Sequence, residues 1–465
     1  MSGSGLNRRG WCGLALATLI VLVSFTPQFR SAMAFPSSLR LSVGERHSLH
    51  LNLPLPASVR LRKGTGLKLN NHWLTAKPAA INLTGPLTLE SIRPGQSEME
   101  FLLFGIPWKR VVVNAQVPKK VIPGGHAIGV LLTSRGLIVV GHNSVVRVAG
   151  RARSPGWEAG IAVGDLLLEA DGNQLVTVGD LAEAVDKAGR EGRSLKLKLK
   201  RGSEILEVEV RPVLTAGNRY RIGLFVRDGA NGVGTLSFYD PETGFYGALG
   251  HIITDPDTGT PLTIREGSIV KAFISSITAG IRGRPGEKIG VFQPEETAWG
   301  NISANTEFGI FGQLNAPLSN PYFPQAIPVA LVSEVHPGPA EMYTVLERDR
   351  IERFQVEIER VNNQVTPSDK GLILRITDPV LLKKSGGIIQ GMSGSPIIQD
   401  GKLAGIVTHV FVNDPSRGFG VLAEWMLEKS IIISRGTVSV PYFLTLVRIF
   451  LPFEEDYGKG LSNMS

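Results

Sequence analysis

The amino-acid sequence predicts a mainly β chain built from several folded units, on three observations. Its 465 residues exceed what one hydrophobic core usually serves, and the length points to about three domains. With 54 glycines, 43% hydrophobic and 19% charged residues, it has the composition of a loop-rich globular protein, not of a disordered or coiled-coil one. Apolar residues also recur at every second position, in runs broken by turn residues, which is the pattern of half-buried strands.

The first element is not part of that fold. Arg8 and Arg9 precede the apolar stretch from Trp11 to Phe25, and Ala32-Met33-Ala34 follows as a small-x-small cleavage pattern. Residues 1–34 therefore read as an export signal or, if uncut, a membrane anchor slightly shorter than the ~20 apolar residues of a full span. The single cysteine, Cys12, lies inside this stretch, which excludes an intramolecular disulfide, a cysteine-built metal site and a cysteine nucleophile in the folded part. No metal and no cofactor is expected. The 49 Lys+Arg and 41 Asp+Glu give a net charge of +8, yet the signs alternate along the chain and form no basic block for nucleic acid.

Residues 35–118 predict a small β domain. Leu39, Leu41 and Val43 alternate, and Leu49, Leu51, Leu53 and Leu55 alternate after a polar stretch. No chemistry is evident there.

Residues 119–215 predict an α+β unit. Leu195, Leu197 and Leu199 alternate with lysines; after Gly202-Ser203, Leu206, Val208 and Val210 alternate with glutamates. A two-residue hairpin loop sets Leu199 opposite Leu206, Leu197 opposite Val208 and Leu195 opposite Val210, with Lys198 facing Glu207 and Lys196 facing Glu209 on the wet side. Leu181, Ala184, Val185 and Ala188 have helical spacing, and Thr177 with Asp180 forms a capping-box start. The run from Ile161 to Leu168 reads as a buried strand. This order of elements, with Gly124-Gly125-His126-Ala127-Ile128-Gly129-Val130 ahead of it, resembles a PDZ domain. The resemblance implies that Ala127, Ile128, Gly129 and Val130 form the loop and strand receiving a peptide as an added strand. A peptide terminus, or the chain's own N-terminal segment, is the expected occupant.

Residues 216–430 hold the candidate chemistry. Gly391-Met392-Ser393-Gly394-Ser395-Pro396 is a sharp-turn loop around a serine, and the N–H groups of Gly391 and Ser393 can converge on one oxyanion. A serine hydroxyl needs a base. Of eight histidines, His47, His50 and His72 fall in the first β domain, and His126 and His142 in the PDZ-like unit. That leaves His251, His336 and His409, with His336 reading as an exposed loop residue and His409 as a rival to His251. The orienting carboxylate is expected at Asp378, which ends the apolar run 371–377 ahead of Pro379. Asp255 and Asp257 read as a solvated turn.

The segments Gly250-His251, Ile376-Thr377-Asp378-Pro379, Gly391 to Ile397 and Thr408-His409-Val410-Phe411-Val412-Asn413-Asp414-Pro415 resemble those of the stage IV sporulation protein B peptidases, through about residue 428. The resemblance implies a chymotrypsin-like double β-barrel with Ser393 as nucleophile, His251 as base and Asp378 as orienting acid. It further implies action between the forespore and mother-cell membranes. There such enzymes cut the exposed part of a membrane protein that restrains an intramembrane metalloprotease, promote late sigma-factor activation, and process themselves. Residues 431–465, with Ile431 to Ile433 and the apolar run 442–447, have no counterpart in the resemblance.

Overall fold

A computed structural model describes residues 35–436 except 52, 147–152, 293–296 and 363–366, together with residues 26, 30 and 33. Residues 1–34, expected to be an export signal or anchor, lie outside the described residues but for those three, as does the apolar run 442–447.

The alternating leucines of the N-terminal region form a β domain of two sheets. One is five-stranded, in the order Ser38–Ser42, Ile106–Gln116, Gly95–Leu103, Ala57–Lys63, Ala79–Ile81; the other is four-stranded, in the order Arg46–His50, Pro86–Ser91, Leu67–Leu69, His72–Trp73. Leu39, Leu41, Leu49, Leu51 and Leu53 all enter their common core. Leu55, the last of the series, is exposed.

This domain is docked on the C-terminal part of the chain by charge as well as shape. The Arg40 guanidinium donates to Glu424 at 2.9 Å and Glu428 at 2.7 Å and lies over the Trp425 ring. Lys402 bridges Glu45 of the domain and Glu334. Glu424, Trp425 and Glu428 belong to the helix Ala423–Ser434, which also contains Ile431 to Ile433.

Two β-barrels follow. The second closes through the order Gly338–Glu347, Arg350–Val361, Leu372–Ile376, Asp414–Leu422, Lys402–Phe411, Pro396–Gln399. In the first, the front half of the strand Ala127–His142 is flanked by Ile264–Lys271 and by Leu224–Tyr239. Beyond Leu224–Tyr239 come Phe245–Ala248 and Gly309–Gln313. Gly300–Asn301 pairs with Ile264–Lys271, and a bridge from Gly300 to Leu314 brings the sheet back on itself. One apolar core runs through both barrels, from Val121 and Ile128 to Ile406 and Met426.

The PDZ domain is inserted between two strands of the first barrel. Ala127–His142 and Leu224–Tyr239 are each 16 residues long and antiparallel, with a register break after Thr133. Their barrel halves pair from Ala127 with Thr235 to Thr133 with Gly229; beyond the break Ile138 to His142 pair with Arg227 to Leu224 inside the PDZ core. The PDZ hairpin has the expected register, Leu195 with Val210, Leu197 with Val208 and Leu199 with Leu206. Lys198 donates instead to Glu169 at 3.0 Å, because the strand Leu166–Ala170 lies on its other side. The helix Val178–Arg190 starts with the Thr177–Asp180 capping box, and Leu181, Val185 and Ala188 are buried. The run 161–168 is shorter as a strand than its apolar character suggests. Only Leu166–Ala170 is extended, and the buried Asp165 folds the preceding turn by accepting from the Ala162 N–H and pairing with Arg201.

One placement corrects the sequence reading. Ala127, Ile128, Gly129 and Val130 lie within the first barrel, paired on one side with residues 232–235 and on the other with residues 269–271 or, for Ala127, bonded to Ala272. Both hydrogen-bonding edges are taken, so no peptide strand can be added there. Among the described residues two edges are open on the PDZ domain, that of Glu204–Val210, which pairs only with Leu195–Arg201, and that of residues 224–227, which pair only with Ala127–His142. Phe225 is exposed on the second.

Candidate active site

The loop around Ser393 is clamped between the barrels. From the first barrel, Thr235 donates its N–H to the Ser393 carbonyl at 3.0 Å and its hydroxyl to the Gly391 carbonyl at 2.8 Å. From the second, the Val407 carbonyl accepts the Gly394 N–H at 2.9 Å. Two glycines make this clamp sterically possible. Gly394, at φ +98°, passes so close that a Cβ would lie 1.9 Å from the Thr235 carbonyl oxygen. Gly391, at φ +89°, faces the Lys288 side chain, whose Cβ would be 3.0 Å from an added methyl. Among the described residues the N–H groups of Gly391 and Ser393 have no hydrogen-bond acceptor. They are free donors on the same turn, the equipment an oxyanion site needs.

The Ser393 hydroxyl donates to the Thr408 carbonyl at 2.7 Å. Two imidazoles stand nearby. His251 follows Leu249 and Gly250, both in the left-handed region at φ 69° and 74°, a strained turn for the leucine that ends the strand Phe245–Ala248 and turns His251 toward the second barrel. His409 sits on the strand Lys402–Phe411, one residue after Thr408. The rings are 5.0 Å apart, centre to centre. His251 Nδ1 lies 2.9 Å from the Ile252 carbonyl, an acceptor that requires the proton on Nδ1 and leaves Nε2 as the basic nitrogen. His409 Nδ1 is buried with no hydrogen-bond partner.

Burial pushes both imidazoles below the ordinary histidine range, and for His409 the neighbouring His251 adds to the effect. Asp369 opposes this at both rings, and is the carboxylate whose field reaches them. Its backbone is tied to the site through the Thr408 hydroxyl, which donates to the Asp369 carbonyl at 3.2 Å. Asp369 stands in a turn with no alternation or cap to draw attention to it, and sequence reasoning missed it.

Asp378 is placed differently from the expectation. It is the N-cap of the helix Pro379–Ser385, with one carboxylate oxygen accepting the Val380 and Leu381 N–H groups and the other accepting from Gln355 N–H at 3.3 Å. None of these bonds reaches an imidazole. The Asp-Pro pair that was read as a strand end is equally a helix start, with proline at the first helical position. Asp255 also departs from a solvated turn: it is fully buried, accepts from Arg227 at 2.9 Å and folds its loop by accepting the Thr258 N–H. His336 is on the surface, paired with Asp400 at 2.9 Å. Among the described residues no group of three or more His, Cys, Asp or Glu side chains is placed to hold a metal ion.

Ser393, His251 and His409 open into a cleft of about 1300 Å³. Its walls include residues 227–233 of the shared strand, residues 388–391 of the Ser393 loop and, from the PDZ side, Val176 and Thr177. The volume and the mixed polar and apolar lining suit a polypeptide.

Comparison with known proteins agrees with this architecture. The SpoIVB peptidase S55 family profile matches residues 218–427, and a PDZ domain profile matches residues 146–201. A Clostridium perfringens protein named as a zinc metalloprotease is 35% identical over 71 residues, 15% of this chain and 21% of that protein. The chain thus spans about a fifth of that relative's length. Two crystal structures of the Rv3671c protease from M. tuberculosis also align. The active form does so at 13% identity over 45% of this chain and 76% of that one, with a TM-score of 0.24. An inactive serine-to-alanine form does so at 12% identity over 45% and 84%, with a TM-score of 0.23. At such scores the fold assignment rests on the strand pairing above.

Proposed function

From the SpoIVB peptidase S55 profile on residues 218–427 and the PDZ domain profile on residues 146–201, we propose that the chain is a serine peptidase of that family, with Ser393 its nucleophile and His251 the general base. Ser393 Oγ attacks the scissile carbonyl of a polypeptide lying in the cleft, and its proton passes to His251 Nε2. The oxyanion is held by the Gly391 and Ser393 N–H groups. Collapse breaks the C–N bond, the imidazolium returns the proton to the leaving amine, and water resolves the acyl ester. The observation that carries this reading is the clamped turn with two N–H donors unpartnered among the described residues, on the same cleft as the serine hydroxyl and two imidazoles. The Ser393 hydroxyl must rotate from the Thr408 carbonyl to the base, a short movement of the kind substrate-free sites commonly require.

The family match supports a finer reading of the biology. The substrate is the extracytoplasmic part of a membrane protein that restrains an intramembrane metalloprotease during sporulation, and cutting it promotes late sigma-factor activation. The chain also processes its own N-terminal segment. On this reading residues 1–34 direct it out of the cytoplasm, and the open PDZ edge at residues 224–227 engages a peptide terminus.

A second reading, a catalytically silent PDZ adaptor, draws on one observation: the Ser393 hydroxyl is bonded to a carbonyl and to neither imidazole. Labelling with a fluorophosphonate separates the two. The intact protein is expected to be modified at Ser393, located by peptide mapping, and the Ser393→Ala variant to lose both labelling and self-processing while keeping its circular dichroism. An unlabelled wild type would support the adaptor; continued processing by the variant would place the nucleophile elsewhere.

A further inference from the structure

Directly behind the nucleophile turn lies Lys288, whose presence the acyl-transfer scheme does not explain. It sits on the strand Glu287–Val291, which runs alongside the loop: Lys288 N–H donates to the Gln390 carbonyl at 2.9 Å, and Glu287 bridges to Gln390. The side chain is 5% exposed. Its ammonium donates to the Thr344 hydroxyl at 2.7 Å, and the Thr235 hydroxyl stands 3.5 Å away. Thr344 also accepts from the buried Ser395 hydroxyl at 2.9 Å.

Among the described residues no carboxylate pairs with this ammonium, its hydrogen-bond partners are the two threonine hydroxyls, and burial pushes its pKa down to about 7. A lysine buried without a counter-ion opposes folding, and a leucine or methionine of similar volume would fill the space at less cost. What the lysine does that an apolar chain cannot is hold two hydroxyls on opposite barrels, Thr235 of the first and Thr344 of the second. Both hydroxyls are bonded onward to the loop: Thr235 to the Gly391 carbonyl, Thr344 to Ser395. The loop's geometry is also fitted to the lysine, since Gly391 lies against its methylenes, where an added Cβ would stand 3.0 Å from the Lys288 Cβ, tighter than ordinary contact.

We propose that Lys288 is a positioning residue for the nucleophile turn: through Thr235 and Thr344 it fixes the peptide units around Gly391 so that the Gly391 and Ser393 N–H groups face one oxyanion. The Gly391 carbonyl is the handle. Held by Thr235, it fixes the peptide unit whose Met392 N–H is bonded to the Ile389 carbonyl at 3.1 Å; the preceding unit, which carries the Gly391 N–H, is held by its Gln390 carbonyl on the Lys288 N–H at 2.9 Å, so the free Gly391 and Ser393 N–H groups flank a fixed unit. Without the lysine ammonium the Thr235 hydroxyl keeps only the Gly391 carbonyl, is no longer held from behind, and can turn away from that carbonyl and release the turn.

The proposal rests on Ser393 being the nucleophile, and the test distinguishes the two. The rate of Ser393 modification by a fluorophosphonate is measured on the full chain for wild type, Lys288→Met, Thr235→Val and Thr235→Ser, alongside each thermal midpoint. Lys288→Met and Thr235→Val are expected to slow labelling by about 100-fold, the scale of a misplaced catalytic group. Lys288→Met is expected to keep or raise the midpoint, and Thr235→Ser, which retains the hydroxyl, to label near the wild-type rate. Wild-type labelling by Lys288→Met, or slow labelling by Thr235→Ser equal to that of Thr235→Val, overturns the proposal. Should Lys288→Met fail to fold, the valine and serine variants decide it alone. A wild type unlabelled at Ser393 refutes instead the assignment of the nucleophile.

Discussion

At the scale of single residues, the site is governed by which groups are neutral. His251 and His409 are both held below the ordinary imidazole range of ~6.5 by burial. Burial disfavours the charged form, so each ring remains a free base to more acid pH than a surface histidine. Activity is therefore expected to persist as pH falls through 6.5 and to be lost only below it, as the base takes up a proton; this shows in the pH profile of Ser393 labelling. The same measurement ranks the two rings. His251→Ala is expected to be as inactive as Ser393→Ala, because His251 has its Nδ1 proton fixed on the Ile252 carbonyl. His409→Ala is expected to retain some turnover, as a residue lining the cleft, and the opposite ranking would make His409 the base. Ser393 and His251 carry local marks in the sequence, a Gly/Ser turn and a small-residue approach, and the structure brings both to one cleft. The partner of Ser393 was not legible in the sequence, since a carbonyl such as that of Thr408 has no side-chain signature.

At the scale of elements, local signals were read well where one rule acted and misread where two competed. The hairpin 195–210 and the capped helix Val178–Arg190 follow from alternation, turn length and capping, and each has one solution. Asp378 satisfied two rules at once, as the carboxylate after a buried strand and as the N-cap before a proline, and the structure uses the second. Asp378→Ala is therefore expected to lower stability by about 1 kcal/mol through loss of the cap, read from the urea midpoint. Asp378→Asn or Asp378→Ser, which also cap, should restore most of it. If the alanine variant loses activity while the asparagine variant keeps it, capping accounts for the residue; loss of activity in both at full stability would restore Asp378 to the triad. For Ala127, Ile128, Gly129 and Val130, the glycine-rich approach and apolar strand were real, but the edges of a strand are visible only once its neighbours are known.

At the scale of the whole molecule, the PDZ domain and the peptidase are joined by more than a linker. Two strands run unbroken from one into the other, and the walls of the cleft come from both. A peptide added at residues 224–227 would lie on the same strand that carries Thr235, eight residues on from Arg227. The N-terminal β domain is joined differently, through the ion pairs of Arg40 and Lys402, the Ser333 hydroxyl on the Arg40 carbonyl and the cover of Trp425. Arg40→Ala removes the partner of the buried Glu424 and the cover of Trp425. The penalty is expected below the ~3–5 kcal/mol of a fully buried pair because the Arg40 side chain is 44% exposed. Limited proteolysis should then cut between the N-terminal domain and residue 120 faster than in wild type, while Ser393 labelling is unchanged. Equal protease resistance would show that apolar contact alone holds the domain.

By itself the sequence determined the class of the fold, the local register of the hairpin 195–210, the cap of its PDZ helix and the Gly/Ser turn around Ser393. Each of these is encoded locally, where periodicity and backbone sterics act directly. Only the tertiary structure decided that residues 127–133 belong to a barrel, that Asp378 caps a helix, that the field of Asp369 reaches the histidine pair, and that a lysine lies buried beneath the Ser393 turn. Those outcomes depend on which distant strands meet, and hydrogen-bond edges, electric fields and burial are properties of the meeting, not of either strand alone.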